Sequence, residues 1–158
     1  MIRSAQPEDT AELISITDGT LMFRPNEIET LDEVLKDYYR EEIFNDHHCV
    51  VADEDGKRLG FAYYAPAEMT DRAWQLWWIV VRRDMQSRGI GTSLLRHVED
   101  AVRRAMGRVL FIETGSMPHY DPTRRFYLKN GYEQCAELRD FYADGDSMIV
   151  FRKDMRAR

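Results

Sequence analysis

A chain of 158 residues is long enough to bury a core of its own, and a formal net charge of -6 excludes a general nucleic-acid binder, which needs a concentrated basic face. No apolar run approaches the length of a membrane span, and the first residues, Met1-Ile2-Arg3-Ser4, lack a signal-peptide core. The expectation is one soluble, cytoplasmic domain over residues 1–158, with no membrane partner.

In chain order the apolar patterning alternates between helix and strand. Ile2 to Ala5 reads as a first strand, and a helix follows from about Pro7 to Thr17 with Glu8 and Asp9 in its first turn. Asn26 to about Asn45 reads as a second, broken helical region with Ile28, Leu31, Leu35, Tyr38 and Tyr39 as its apolar stripe. Strands are expected over Cys49 to Ala52, Leu59 to Ala65 and Ala73 to Val81, the first two joined by a turn at Glu54-Asp55-Gly56. In the third, Trp74, Leu76, Trp78 and Val80 alternate with Gln75, Trp77, Ile79 and Val81, so both faces are largely apolar and the strand is central. Ile90, Leu94, Leu95, Val98, Val102 and Ala105 recur at helical spacing, with Gly107 where a C-cap would stand. A strand from Val109 to Thr114, a short helix from Thr123 to Asn130, and a hairpin of Glu133 to Tyr142 with Met148 to Arg152 complete the pattern. This order predicts an α/β fold with a mixed central sheet of about seven strands and helices on both faces.

Cys49 and Cys135 stand far apart in no metal-ligand spacing and read as buried free thiols. His47-His48 has no second ligand cluster and reads as a loop-to-strand junction, so no metal is expected.

Gln86-Ser87-Arg88-Gly89-Ile90-Gly91, between the central strand and the long amphipathic helix, has the makings of an anion cradle. A helix start leaves N–H groups without intrahelical partners and adds partial positive charge. Gly89 and Gly91 allow close approach and positive φ, while Ser87, Arg88 and Thr92 add donors. A P-loop would need Lys after the last glycine, where Thr92 and Ser93 follow; the dinucleotide fingerprint would need Gly or Ala at position 94, which is Leu94. Of the nearby arginines, Arg82, Arg83, Arg103, Arg104 and Arg108 read as solvated, and Arg88 is the candidate ligand.

The segment instead resembles the Gln/Arg-x-x-Gly-x-Gly pyrophosphate motif of the GCN5-related N-acetyltransferases. A second segment, Tyr120 to Tyr132, is similar to that family's Phe/Leu-Tyr-x-x-x-Gly-Phe/Tyr motif through Phe126, Tyr127, Gly131 and Tyr132. The resemblance covers about residues 49 to 154 and implies acetyl-coenzyme A as co-substrate. It places coenzyme contacts at Ile79, Val80, Val81, Gln86, Ser87, Arg88, Gly89, Ile90, Gly91, Thr92, Ser93, Thr123 and Phe126. Glu113 and the Asp140-Phe141-Tyr142 element make the ribosomal-protein N-terminal acetyltransferases the most similar subgroup. That subgroup commonly has Asn seven residues before the tyrosine, where this chain has Tyr120, and the loop Gly115 to Asp121 is slightly longer.

Acetyl transfer to an amine needs the neutral nucleophile, and an amine of pKa ~8 to ~10 is mostly protonated at neutral pH. The resemblance assigns Glu113 as the general base, directly or through water, and Tyr127 as the acid that protonates the leaving thiolate. A main-chain N–H of Ile79 to Val81 would polarise the thioester oxygen. The acidic residues Glu27, Glu29, Asp32, Glu33, Asp37, Glu41 and Glu42 form either a solvated face or a rim that attracts a cationic amine. The acceptor is a small amine or a peptide amino terminus; the oligomeric state is open, with edge pairing into a homodimer as one alternative. The alternatives are a non-catalytic acyl-coenzyme A sensing module and a nucleotide-binding or structural domain.

Overall fold

The computed structural model describes residues 1–40 and 46–156. Seven strands form one mixed sheet: β1 (Ile2–Ser4), β2 (His48–Glu54), β3 (Lys57–Pro66), β4 (Ala73–Val81), β5 (Val109–Gly115), β6 (Glu133–Ala143) and β7 (Asp146–Asp154). Their order is β1-β2-β3-β4-β5-β7-β6, so the doubly apolar β4 takes the middle position that its sequence demands. Among the described residues there are four α-helices, α1 (Thr10–Gly19), α2 (Pro25–Tyr38), α3 (Ile90–Arg104) and α4 (Asp121–Lys129). The α/β expectation holds. The second helical region closes at Tyr38, and its read extension through residues 41–45, with Glu41 and Glu42 of the acidic rim, lies outside the described residues.

The chain forms two compact units, Met1–Ala65 with Trp78–Val98, and Pro66–Trp77 with Glu99–Arg158. In the first, Leu13, Leu31, Leu35, Val51, Phe61 and Tyr63 are fully buried, and Phe23 meets Trp78 at a ring separation of 5.2 Å. A fully buried carboxylate, Asp9, ends the 3₁₀ turn before α1 and is held by three donors. Arg3 grips it from β1 at 2.8 and 3.0 Å, Arg58 Nε donates from β3 at 2.7 Å, and the Gln6 amide donates at 2.8 Å. These guanidinium groups hold its carboxyl far below the ordinary carboxylate range.

In the second unit all of β5 pairs with β7, from Val109 opposite Asp154 to Gly115 opposite Met148. Beside it, β6 carries irregularities between Gln134 and Ala136 and again between Leu138 and Ala143, and its residues are almost all exposed. Cys135 lies at the first irregularity and is exposed, against the expectation of burial; Cys49 is buried as read. The end of α3 also differs from its reading. The left-handed residue is Met106, with φ 59°, and Gly107 follows it, donating to Val102 O at 2.8 Å in a Schellman closure. Gly107 is required for space: a Cβ there would stand 2.4 Å from Val102 Cγ1 and 2.8 Å from Trp74 Cδ1.

Behind α4, the buried Glu99 of α3 accepts from the Tyr132 hydroxyl at 2.9 Å and from Lys153 Nζ at 3.0 Å. Lys153 also donates to Asn130 O at 3.0 Å, so the turn that ends α4 is fastened to β7. Among the described residues, no helix is long and apolar enough to cross a membrane.

Candidate active site

The cradle begins where β4 stops. Arg82 N donates to Leu59 O at 2.8 Å, a 3₁₀ turn runs over Arg83–Met85, and the Gln86 side chain donates back to Val81 O at 3.2 Å. Gln86 therefore pins the turn to the strand. Ser87 and Gly89 both take left-handed backbone, with φ of 64° and 83°. The first α-helical bond of α3 is Ser93 N to Gly89 O at 3.0 Å, which leaves the preceding amides of Ile90, Gly91 and Thr92 as the unsatisfied start of a helix. Ser87, Arg88, Gly89 and Ser93 are exposed and Ile90, Gly91 and Thr92 partly so; the turn lies at the surface and not in a packed interior. A Cβ on Gly89 would meet nothing within 4 Å, so its glycine answers to φ and not to crowding.

Three of the arginines read as solvated are instead partly buried and ion-paired. Arg82 is taken by Glu12 at 3.3 Å and Asp84 at 3.4 Å, and Arg103 and Arg108 pair with Glu99 or Asp100 and with Asp71. Arg88 is exposed, its guanidinium 3.0 Å from Met85 Sδ. Ile79 and Val81 are half-buried and Val80 is buried.

The second unit holds Glu113, Tyr127, Thr123 and Phe126. The parallel ladder between β4 and β5 ends at Leu76 opposite Ile112, and Glu113 is the next residue of β5. Its side chain is solvent-accessible and accepts from Gln75 Nε2 at 3.1 Å. Partial burial pushes its carboxyl above the ordinary value, and the Gln75 amide opposes that by favouring the ionised form. A carboxylate with a raised pKa is a better proton acceptor near neutrality. Tyr127 is buried on α4, with ring separations of 5.6 Å to Phe151 and 5.9 Å to Tyr132. Desolvation raises its phenol above the ordinary value near ~10, so it is protonated at neutral pH. Thr123 and Phe126 are half-buried on the same helix. Among the aromatics, Trp74, Tyr63 and Tyr64 are buried, whereas Trp77 and Phe141 are exposed.

Three contributors escape the sequence reading. Gln75 could be noticed only as the polar exception in an apolar strand. Gly60 sits inside β3, where a Cβ would stand 2.5 Å from Val80 O; an isolated strand glycine is the available signal for such an approach. Arg124 left no signal of its own.

Residues 45–134 match the family described as the acetyltransferase (GNAT) domain. The chain belongs to the GNAT family of acetyl-coenzyme A-dependent N-acetyltransferases. A crystal structure of a GNAT-family acetyltransferase from Desulfovibrio desulfuricans is 33% identical, with a TM-score of 0.93 and 98% of each chain covered. Of two relatives from Bacillus subtilis, S-(2-succino)cysteine N-acetyltransferase is 28% identical over 80% of this chain and 74% of its own length. The other, N-acetyltransferase YsnE, is 33% identical over 42% of this chain, and the match spans 44% of its length. Ribosomal-protein-alanine N-acetyltransferases are among the distant structural neighbours at 20% and 18% identity, a likeness that shows the fold alone. Homologues of this GNAT fold have been solved with coenzyme A or acetyl-coenzyme A bound.

Proposed function

We propose that residues 1–158 work as a single N-acetyltransferase domain that moves the acetyl group of acetyl-coenzyme A to a primary amine, either a small amine or a peptide amino terminus. The observation that carries the reading is the solvent-facing turn at Ser87 and Gly89 ahead of α3, whose amides and Arg88 suit a diphosphate. Support for a single domain comes from β4 and α3, each of which contributes residues to both units.

In this reading the amine nitrogen attacks the thioester carbonyl carbon while Glu113 accepts one N–H proton, directly or through water. An amide of Ile79–Val81 stabilises the oxyanion. Collapse breaks the C–S bond, and the coenzyme thiolate takes the Tyr127 proton. Transfer of one proton through solvent restores Glu113 and Tyr127, so the products are an amide and free coenzyme A thiol.

The Bacillus subtilis relative named for S-(2-succino)cysteine supports a small-amine acceptor, and the motif likeness to ribosomal-protein acetyltransferases supports a peptide amino terminus. A thiol-release screen with acetyl-coenzyme A against amines, amino-acid derivatives and peptides tests the reading and names the acceptor class. Coenzyme A binding without thiol release on any acceptor would make the chain a sensing module.

A further inference from the structure

Arg124 lies on α4 three residues before Tyr127, on the same helical face. Its side chain is 17% exposed and spans three acceptors. Nη1 donates to Gly115 O at 2.6 Å and Met117 O at 3.2 Å, and Nη2 donates to Asp121 on its own helix. Gly115 is the last residue of β5, two beyond Glu113. Nothing larger fits there, since a Cβ would stand 2.9 Å from the Tyr120 ring and 3.1 Å from Asp146 Oδ1.

The strand end is held independently of Arg124. β5 is paired with β7 throughout, Ser116 N donates to Asp146 Oδ1 at 3.3 Å, and Ser147 N donates to Ser116 Oγ at 2.8 Å. The far end of α4 is fastened through Asn130, Lys153 and Glu99. What Arg124 adds is the tie between the first turns of α4 and the end of β5. Without it, the element free to shift is the helix that carries Tyr127.

We propose that Arg124 is a positioning residue that sets the Tyr127 hydroxyl relative to the strand bearing Glu113. The inference rests on the acetyl-transfer reading above. A planar guanidinium can meet two carbonyls and a carboxylate at once, and a lysine ammonium cannot reproduce that fork.

The test is steady-state kinetics on the full chain with acetyl-coenzyme A and whichever screened amine gives turnover, for the wild type, Arg124→Gln, Tyr127→Phe and the double variant. Misplacing a reacting group by about 1 Å can lose about 100-fold in rate, so Arg124→Gln is expected to lower kcat by about 10- to 100-fold. Coenzyme A affinity by calorimetry falls far less than kcat, because the diphosphate turn ahead of α3 is untouched and only the Thr123 and Phe126 contacts on α4 are disturbed, and Arg124→Lys recovers little of the rate. In the Tyr127→Phe background the same substitution has almost no further effect, because the group it positions is gone. An equal loss in both backgrounds, or full kcat in Arg124→Gln, overturns the proposal. Wild-type kcat in Tyr127→Phe, or no thiol release by the wild type on any acceptor, overturns instead the reading on which it rests, and this inference with it. If Arg124→Gln does not fold, Arg124→Lys carries the same cycle.

Discussion

Gln75 donates its side-chain amide to Glu113 Oε1 across 3.1 Å, and this is the contact that opposes the upward push of burial on that carboxyl. Removing it with Gln75→Leu leaves desolvation unopposed, so the Glu113 pKa rises further. The acid limb of the kcat/KM profile is expected to move to higher pH in Gln75→Leu. Glu113→Gln should lose about 10²- to 10⁴-fold in kcat, the usual worth of a general base, while coenzyme A affinity measured by calorimetry holds. An unmoved limb in Gln75→Leu would separate that limb from Glu113.

Asp9→Asn is expected to destabilise the protein by about 1 to 3 kcal/mol, because it removes the buried carboxylate shared by two guanidinium groups while Arg3 keeps Asp53 and Arg58 keeps Glu12. The pH dependence has a definite sign. Asp9 titrates far below its unfolded value near ~3.9, so its stabilisation is complete above that value and drains away as the medium is acidified. Urea midpoints measured from about pH 7 downward should converge for wild type and Asp9→Asn as the acid limit is approached. Parallel curves would refute the assignment.

Gly60→Ala places a methyl 2.5 Å from Val80 O and 3.1 Å from Val81 Cα, both main-chain atoms that cannot swing aside. Overpacking of this kind costs about 1 to 3 kcal/mol. Since Val80 and Val81 belong to the proposed coenzyme strand, a lower thermal midpoint should come with weaker coenzyme A binding.

Gly89→Ala tests backbone conformation alone. No atom lies within 4 Å of the added methyl, but φ is +83°, which costs an L-residue about 1 to 2 kcal/mol. Coenzyme A affinity is expected to fall as the turn re-aims its amides. Ser87→Gly relieves a left-handed residue at φ 64° and is expected to be neutral or stabilising in thermal melts.

The sequence was most readable where a single element decides its own fate. β4 runs from Ala73 to Val81 as its two apolar faces require, and α3 begins at Ile90 directly after the glycine turn. The glycine turn ahead of α3 was legible for the same reason, being local backbone. Gly107 was misread because a helix terminus specifies a left-handed residue without specifying which one, and packing against Val102 and Trp74 claimed the glycine. Cys135 was misread because a free thiol is usually buried, and only strand order reveals that β6 is an edge. Gln75 and Gly60 meet residues 20 or more positions away, and Arg124 bridges the end of β5 and the loop that follows it. Such relations exist only after the strands have paired.

The two breaks along β6 have a bearing on handling at high concentration. The outermost strand of the sheet changes register twice and presents Glu133, Glu137, Arg139 and Asp140 to water. A foreign peptide laid alongside would find donors and acceptors aligned for only a few residues at a stretch, with fixed charges between them. That margin is a poor template for ribbon growth, and the protein should resist fibril seeding even where its apolar strands would otherwise invite it.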